Sequence, residues 1–278
     1  MFPLRCSVRG CTALLSQDGN SLRCPVGHTF NRSREGYWSL IQPQDRKSIA
    51  AGDPDEAVLA RRRWIESGVM AGLVSELRSL IDASGKHARV VDLGCGEGTF
   101  SRELFAHANV DFCGIDLAKR ALRLAARSWK QATWVLANAD RPLPLPNASA
   151  DCVLSFFGRR PTDEMQRIMA PEGRVVIAVP GADDLSQLRE QVQSGRVRRS
   201  RWEGVAAEME VVGLPLLQRT QWREEHTLSG PQIADALLMT YRGRRRSQQP
   251  AIDRLSELTV TLSADLLVCG SRKVSAAV

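Results

Sequence analysis

Eight consecutive residues, Asp92-Leu93-Gly94-Cys95-Gly96-Glu97-Gly98-Thr99, hold the densest chemistry in this sequence. Val90, Val91 and Leu93 read as a short buried strand, which the glycines on alternate positions then break. Glycine lets a backbone turn tightly and approach a ligand where any Cβ would collide. Thr99 to His107 has helical spacing, so the loop joins a strand to a helix N-terminus. In an open α/β sheet, ligands sit at such a corner, beyond the strand C-termini. A second strand, Val110 to Ile115, runs into Asp116, whose carboxylate suits the two hydroxyls of a ribose.

A different chemistry is written near the N-terminus. Cys6 and Cys11 precede Cys24 and His28 by a 12-residue spacer, and Cys24-Pro-Val-Gly-His28 forms a tight knuckle. Three thiolates and an imidazole complete a tetrahedral Zn2+ shell with no open position, which makes the site structural. A module of about 40 residues buries too little core to fold unaided, and a metal staple compensates.

The glycine spacing is G-x-G-x-G, not the G-x-G-x-x-G of dinucleotide sites. With an acid two residues ahead, it resembles motif I of the S-adenosylmethionine-dependent methyltransferases. That resemblance implies S-adenosyl-L-methionine as cofactor, held by Asp92, Gly94, Cys95, Gly96, Gly98, Thr99, Asp116 and Leu117.

Downstream of the knuckle come Phe30, Glu35-Gly36-Tyr37, Leu40 and Ala60-Arg61-Arg62 followed by Gly68. With Cys24 and His28 they resemble the 23S rRNA (guanine-N1)-methyltransferases, which include macrolide- and tylosin-resistance enzymes. The resemblance covers most of the chain, and its N-terminal part is specific because generic methyltransferases lack the finger. It implies methyl transfer to N1 of a guanine in a 23S rRNA hairpin. It also implies places for side chains: Asn138 and Ala139 at the adenine, Met70 where the family carries a cofactor-facing tyrosine, and Asp184 where a family histidine touches the methionine end. On the acceptor side, the end of the fourth strand supplies the catalytic candidates Phe157, Arg159 and Glu164. Phe156 or Phe157 would stack on an extruded base, and Arg159 would face O6 or a phosphate. The chain departs from the family at four places: Cys6-x4-Cys11 is two residues wider than usual, Met70 lacks the tyrosine hydroxyl, Asp184 replaces the histidine, and Phe157-Gly158-Arg159 replaces an aromatic-Ala-Pro.

Composition bounds the partners. The 278 residues are 43% apolar, enough for a packed core, and carry a net charge of +7. No run approaches the ~18 apolar residues of a membrane span. Met1 to Cys11 contains arginines but no apolar stretch of a signal peptide. Seven cysteines without such a signal suit a reducing cytoplasm, where paired cysteines are more often metal ligands than disulfides. Arginine accounts for 33 of the 38 basic residues, and its planar fork suits phosphates and bases. A GC-rich genome explains that bias equally well, so clustering is the better argument. Clusters stand at Arg61-Arg62-Arg63, at Arg196, Arg198, Arg199 and Arg201, and at Arg242 to Arg246. Arg61, Arg62, Arg63, Arg198, Arg199 and Arg201 are expected to grip RNA phosphates.

These groups need a frame. Strands alternating with helices imply a mostly parallel sheet. The expected fold is α/β: a seven-stranded Rossmann-like class I methyltransferase domain with a small N-terminal zinc-binding module. Residues 1–42 form the zinc-binding RNA-recognition module, 43–84 a helical linker, and 85–278 the methyltransferase domain. After Asp116, the pattern predicts a helix from Leu117 to Ser128, a strand from Thr133 to Ala137, and a strand from Asp151 to Phe157. It then predicts a turn at Pro171-Glu172-Gly173, a strand from Val175 to Val179, and a helix from Gly230 to Tyr241. Long strands at Leu214 to Leu228 and Leu258 to Cys269 suit an antiparallel hairpin.

The reading is therefore a zinc-bearing, S-adenosylmethionine-dependent rRNA guanine-N1 methyltransferase of the cytoplasm, with a 23S rRNA hairpin as partner, no membrane, and a homodimer left open. Two alternatives stand beside it. One is a methyltransferase of another RNA base or of a small molecule, its arginines merely compositional. The other is a zinc-containing RNA-binding protein with a degenerate methyltransferase domain.

Overall fold

The computed structural model describes residues 1–42, 52–81, 88–192, 200–239 and 256–271. At the N-terminus, β1 (Ser16–Asp18), β2 (Ser21–Arg23) and β3 (Thr29–Asn31) form a small antiparallel sheet. The next strand, β4 (Trp38–Ser39), leaves that sheet and pairs parallel with β7 (Thr133–Leu136) of the large one. There β5 (Ala88–Leu93) is central, with β6 (Val110–Asp116) and β7 on one side and β8 (Ala150–Phe156) and β9 (Met169–Pro180) on the other. All five run parallel. Past β9 come β11 (Glu257–Gly270) and then β10 (Leu216–Ser229), each antiparallel to its neighbour. The order β10-β11-β9-β8-β5-β6-β7 contains the seven expected strands, hairpin included, and β4 makes an eighth.

Burial on both faces explains the nearly unbroken apolar runs of the central strands. Leu154, Val176 and Leu266 belong to one face's core with Leu122 and Trp134, while Val91, Ile115, Val153 and Ile177 belong to the other. The helices α1 (Asp55–Glu66), α2 (Ala71–Leu80), α3 (Thr99–Phe105), α4 (Lys119–Ser128), α5 (Thr162–Ile168), α6 (Ser186–Val192), α7 (Trp202–Val211) and α8 (Gly230–Leu238) complete the described elements.

Two boundaries differ from expectation for physical reasons. The helix α4 begins at Lys119, because Asp116 accepts the Ala118 N–H at 2.6 Å and holds Ala118 extended. The expected turn at Pro171-Glu172-Gly173 lies inside β9. Ala150 pairs with Met169 and Cys152 with Arg174, so the residues between stand out of register as a bulge. Tyr241, the expected end of α8, lies outside the described residues.

The N-terminal segment shares its core with the large sheet. Phe2, Leu4, Leu22, Phe30, Trp38 and Leu40 are buried in one cluster with Val135, Leu143 and Leu145. Leu40 N–H donates to Leu136 O at 3.0 Å, and Arg5 N–H to Pro144 O at 3.0 Å. The Glu35-Gly36-Tyr37 stretch clasps α4: Glu35 Oε1 lies 3.4 Å from Arg123 Nε and 3.7 Å from Arg127 Nη2. Gly36 turns with φ +110° against Ala126, while the Ser33 hydroxyl accepts the N–H groups of Gly36 and Tyr37, both at 3.1 Å. Apolar area withheld from a short segment is thus supplied by the sheet it docks on.

Candidate functional site

The glycine loop leaves β5 and enters α3, and its three glycines do three different jobs. Gly94 has φ +76°, and a Cβ there would meet only Gly158 Cα at 3.9 Å, so the chain is free of side-chain crowding where the paired strands β5 and β8 end. Gly96 has φ +58° and lies under Arg61, whose Nη1 is 3.2 Å from the place of a Cβ. Gly98, the left-handed N-cap of α3 at φ +73°, is packed on Trp134, which would lie 2.5 Å from a Cβ. The first two glycines open the corner to a ligand. The third is required by packing.

Asp116 stands beside the loop at the end of β6. Its Oδ2 accepts the Gly96 N–H at 2.8 Å and its Oδ1 the Ala118 N–H at 2.6 Å. Burial pushes its carboxyl up, against those two hydrogen bonds and the nearby Arg61 charge. Leu117 is half-buried beside it. Asp92 is 3% exposed and accepts the Ser101 hydroxyl at 2.5 Å, which ties β5 to α3 beneath the loop. Burial pushes Asp92 up to about 7. Cys95 is half-buried, its Sγ would lie 3.0 Å from a Cβ on Gly114, and desolvation raises its thiol well above the usual range. Thr99 opens α3 and is buried. Glu97, which the sequence reading leaves unassigned, is 3% exposed, and its Oε2 has no hydrogen-bond partner.

The adenine-side candidates lie at the end of β7. Asn138 accepts the Asp140 N–H at 2.9 Å in an Asx turn, and Ala139 is half-buried next to it. Asn138, but not Ala139, lines a cleft of about 520 Å3 between the N-terminal loop and this connection, where Arg5, Arg9 and Arg141 gather with Ser7 and Thr12. Met70 caps α2 and is buried in the main core. Asp184 is turned against β11, accepting the Ser263 N–H at 3.1 Å.

At the end of β8, Phe157 is 41% exposed with φ +57°, an unusual conformation for a bulky residue. The rings of Phe157 and Phe156 lie 6.3 and 6.1 Å from that of Phe100. Arg159 is exposed and pairs with Asp140 at 3.0 Å. Glu164 has turned away: it holds Arg167 at 2.7 Å and the Leu143 N–H at 2.5 Å. Despite burial, these bonds hold its carboxyl below the ordinary range, which suits a staple of the Pro142–Pro146 connection better than a proton acceptor.

The arginine cluster on α1 is dispersed among carboxylates. Arg61 pairs with Asp53 and Glu97, Arg62 with Glu66 at 2.9 Å, and Arg63 with Asp235 on α8 at 2.5 Å. An i,i+1,i+2 run on a helix points in three directions, so it does not form one phosphate-gripping face. Arg201 is exposed at the N-cap of α7, while Arg196, Arg198, Arg199 and Arg242 to Arg246 lie outside the described residues.

The N-terminal cysteines and histidine converge. The ligand atoms of Cys6, Cys11, Cys24 and His28 all lie within 4.8 Å of one another. His28 Nδ1 is 3.4 Å from the sulfurs of both Cys6 and Cys24, and Cys11 Sγ is 4.0 Å from Cys24 Sγ. A tetrahedral zinc with bonds of about 2.0–2.3 Å sets its ligands roughly 3.5–3.8 Å apart, so the donor set and its spacing fit the ion. The wide Cys6–Cys11 spacing is absorbed by a turn in which Cys11 N–H returns to Val8 O at 2.9 Å, with Gly10 at φ +80°.

This strand order, with an open glycine corner and an acid at the end of the second strand, defines the S-adenosylmethionine-dependent methyltransferase class. A methyltransferase-domain family profile matches residues 90–176. A solved structure from Bacillus subtilis, 16% identical, superposes with a TM-score of 0.51 over 72% of this chain and 98% of its own. The 23S rRNA (guanine(748)-N(1))-methyltransferase of Streptomyces fradiae is 32% identical, with 96% of each chain covered. A Bacillus subtilis relative, provisionally given a 23S rRNA (guanine-N1)-methyltransferase name, is 30% identical over 90% of this chain and 89% of its own. The chain belongs to the 23S rRNA (guanine-N1)-methyltransferase family.

Proposed function

We propose that this protein transfers a methyl group from S-adenosylmethionine to N1 of a guanine in 23S rRNA. The observation that supports this most is likeness to the Streptomyces fradiae enzyme over 96% of both chains, which takes in the finger as well as the cofactor corner. The cofactor's sulfonium carries its own leaving group, so the chain's task is to fix distance and angle. Gly94 and Gly158 bring no side chains to the ends of β5 and β8, and Asp116 offers oxygens toward ribose hydroxyls. Phe157 presents a ring on which an extruded guanine stacks. With Glu164 committed to Arg167, the N1 proton leaves to water at the cleft mouth, while Arg159 faces O6 or a phosphate.

Residues 1–42 act in this reading as the RNA-recognition module, with zinc on Cys6, Cys11, Cys24 and His28. The Arg5, Arg9 and Arg141 cleft is the surface that meets the phosphate backbone, in place of the α1 arginines. An rRNA substrate places the protein in the cytoplasm, and no described helix is long and apolar enough to cross a membrane. The test is tritium transfer from labelled cofactor to 23S rRNA lacking the modification. Label in N1-methylguanosine after digestion supports the reading; label confined to another base or absent from RNA rejects it.

A further inference from the structure

Four carboxylates crowd the glycine corner, those of Asp53, Asp92, Glu97 and Asp116, and the Arg61 guanidinium enters among them. Arg61 reaches over the loop from α1 with its Nη2 tied to Asp53. Its Nη1 makes no hydrogen bond among the described residues, and Glu97 Oε2 stands 3.8 Å away, beyond hydrogen-bond reach. Glu97 receives hydrogen bonds from Thr99 and its own backbone, yet Oε2 is buried without a partner. A buried acceptor without a hydrogen-bond partner therefore stands 3.8 Å from a half-buried guanidinium, an ion pair too long to be a hydrogen bond. Native structures rarely leave a buried acceptor such as Glu97 Oε2 unmet, and it calls for an explanation.

The complement of this pair is a ligand with an anion and a cation on neighbouring atoms, the head of an α-amino acid. Resting on the reading of this corner as the S-adenosylmethionine site, we propose that Arg61 binds the α-carboxylate of the cofactor's methionine end and Glu97 its α-ammonium. The charges agree. The cofactor carries two positive groups and one negative, so acids suit most of it and only its carboxylate needs a cation. Asp53 holds the guanidinium before the ligand arrives, which lowers the cost of ordering it on binding. Gly96 keeps the space beneath Nη1 clear, since a Cβ there would crowd it at 3.2 Å. Arg61 is then a cofactor ligand on α1, not a grip on RNA.

Decarboxylated S-adenosylmethionine keeps the amine and lacks only the carboxylate, so it isolates the Arg61 contact. Both compounds are titrated calorimetrically into the full-length protein and its variants. Arg61→Met is expected to weaken the intact cofactor ten- to a hundredfold while changing the decarboxylated one less than threefold, with Arg61→Lys recovering part of the loss. Glu97→Gln should weaken both compounds, because both retain the amine. Equal losses for the two compounds in Arg61→Met overturn the proposal and leave Arg61 a structural strut. Should Arg61→Met fail to fold, the ratio between the compounds in Arg61→Lys decides by the same criterion. A wild-type protein that binds neither compound overturns the reading of the corner, and the proposal with it.

Discussion

Trp134 fills the space a side chain at Gly98 would need: its Cη2 lies 2.5 Å from the position of a Cβ there. Its Cζ3 likewise lies 2.4 Å from a Cβ position on Gly114 in the neighbouring strand. One indole thus dictates two glycines. Gly98→Ala is expected to lower stability by roughly 1–3 kcal/mol through overpacking. Chemical unfolding measures the loss, and adding Trp134→Phe should return part of it. A double variant that shows simple additivity would separate Gly98 from the indole.

Phe157 holds a left-handed backbone that costs a non-glycine residue about 1 kcal/mol, and half-exposes its ring. Phe157→Gly should therefore keep or raise Tm and leave cofactor affinity within about twofold. Methyl transfer to RNA should fall at least tenfold. Wild-type transfer by this variant would show that the ring is no stacking platform.

Asp92 gives a pH signature. Its folded value of about 7 lies above the ordinary 3.8, so the folded chain holds a proton that the unfolded chain releases. The stability linked to that proton is present below about pH 4 and is lost as pH rises through about 7. Asp92→Asn keeps an acceptor for Ser101 and carries no charge. The stability of the variant relative to wild type should rise between pH 4 and pH 8, with a ceiling of roughly 4 kcal/mol. Parallel stability curves across that range would refute the assignment.

One zinc per chain is expected by metal analysis, with Cys24→Ser losing most of it. Cys6 and Cys24 are buried in the same cluster as Trp38 and Leu40, so metal loss should also lower Tm. RNA binding should suffer more than cofactor binding. A Cys24→Ser protein with full zinc would exclude this ligand set.

Much of this was legible because the signals are local. Glycine spacing, strand alternation and the knuckle each lie within a few residues, and they locate the corner and the cysteine-histidine cluster before any fold is known. Arg61 was not legible, because its direction depends on how α1 docks over a loop 36 residues downstream; the sequence shows only three adjacent arginines. Glu164 was misdirected for a related reason. Its place beside Phe157 in the chain suggests the base pocket, but Arg167 one helical turn on and the Leu143 N–H draw it to the opposite side. Asp184 likewise answers to Ser263 on a strand 79 residues away. Trp38 and Ser39 carry no strand signal of their own; they are extended because Val135 and Leu136 offer free backbone groups.

That last pairing bears on solubility. Without β4, the strand Thr133–Leu136 would be the bare rim of the sheet, with unpaired amides ready to template another chain. Two residues cover that rim and are too few to recruit a partner themselves. Shedding residues 1–42 to obtain a minimal catalytic fragment would bare that rim and is expected to favour edge-to-edge aggregation.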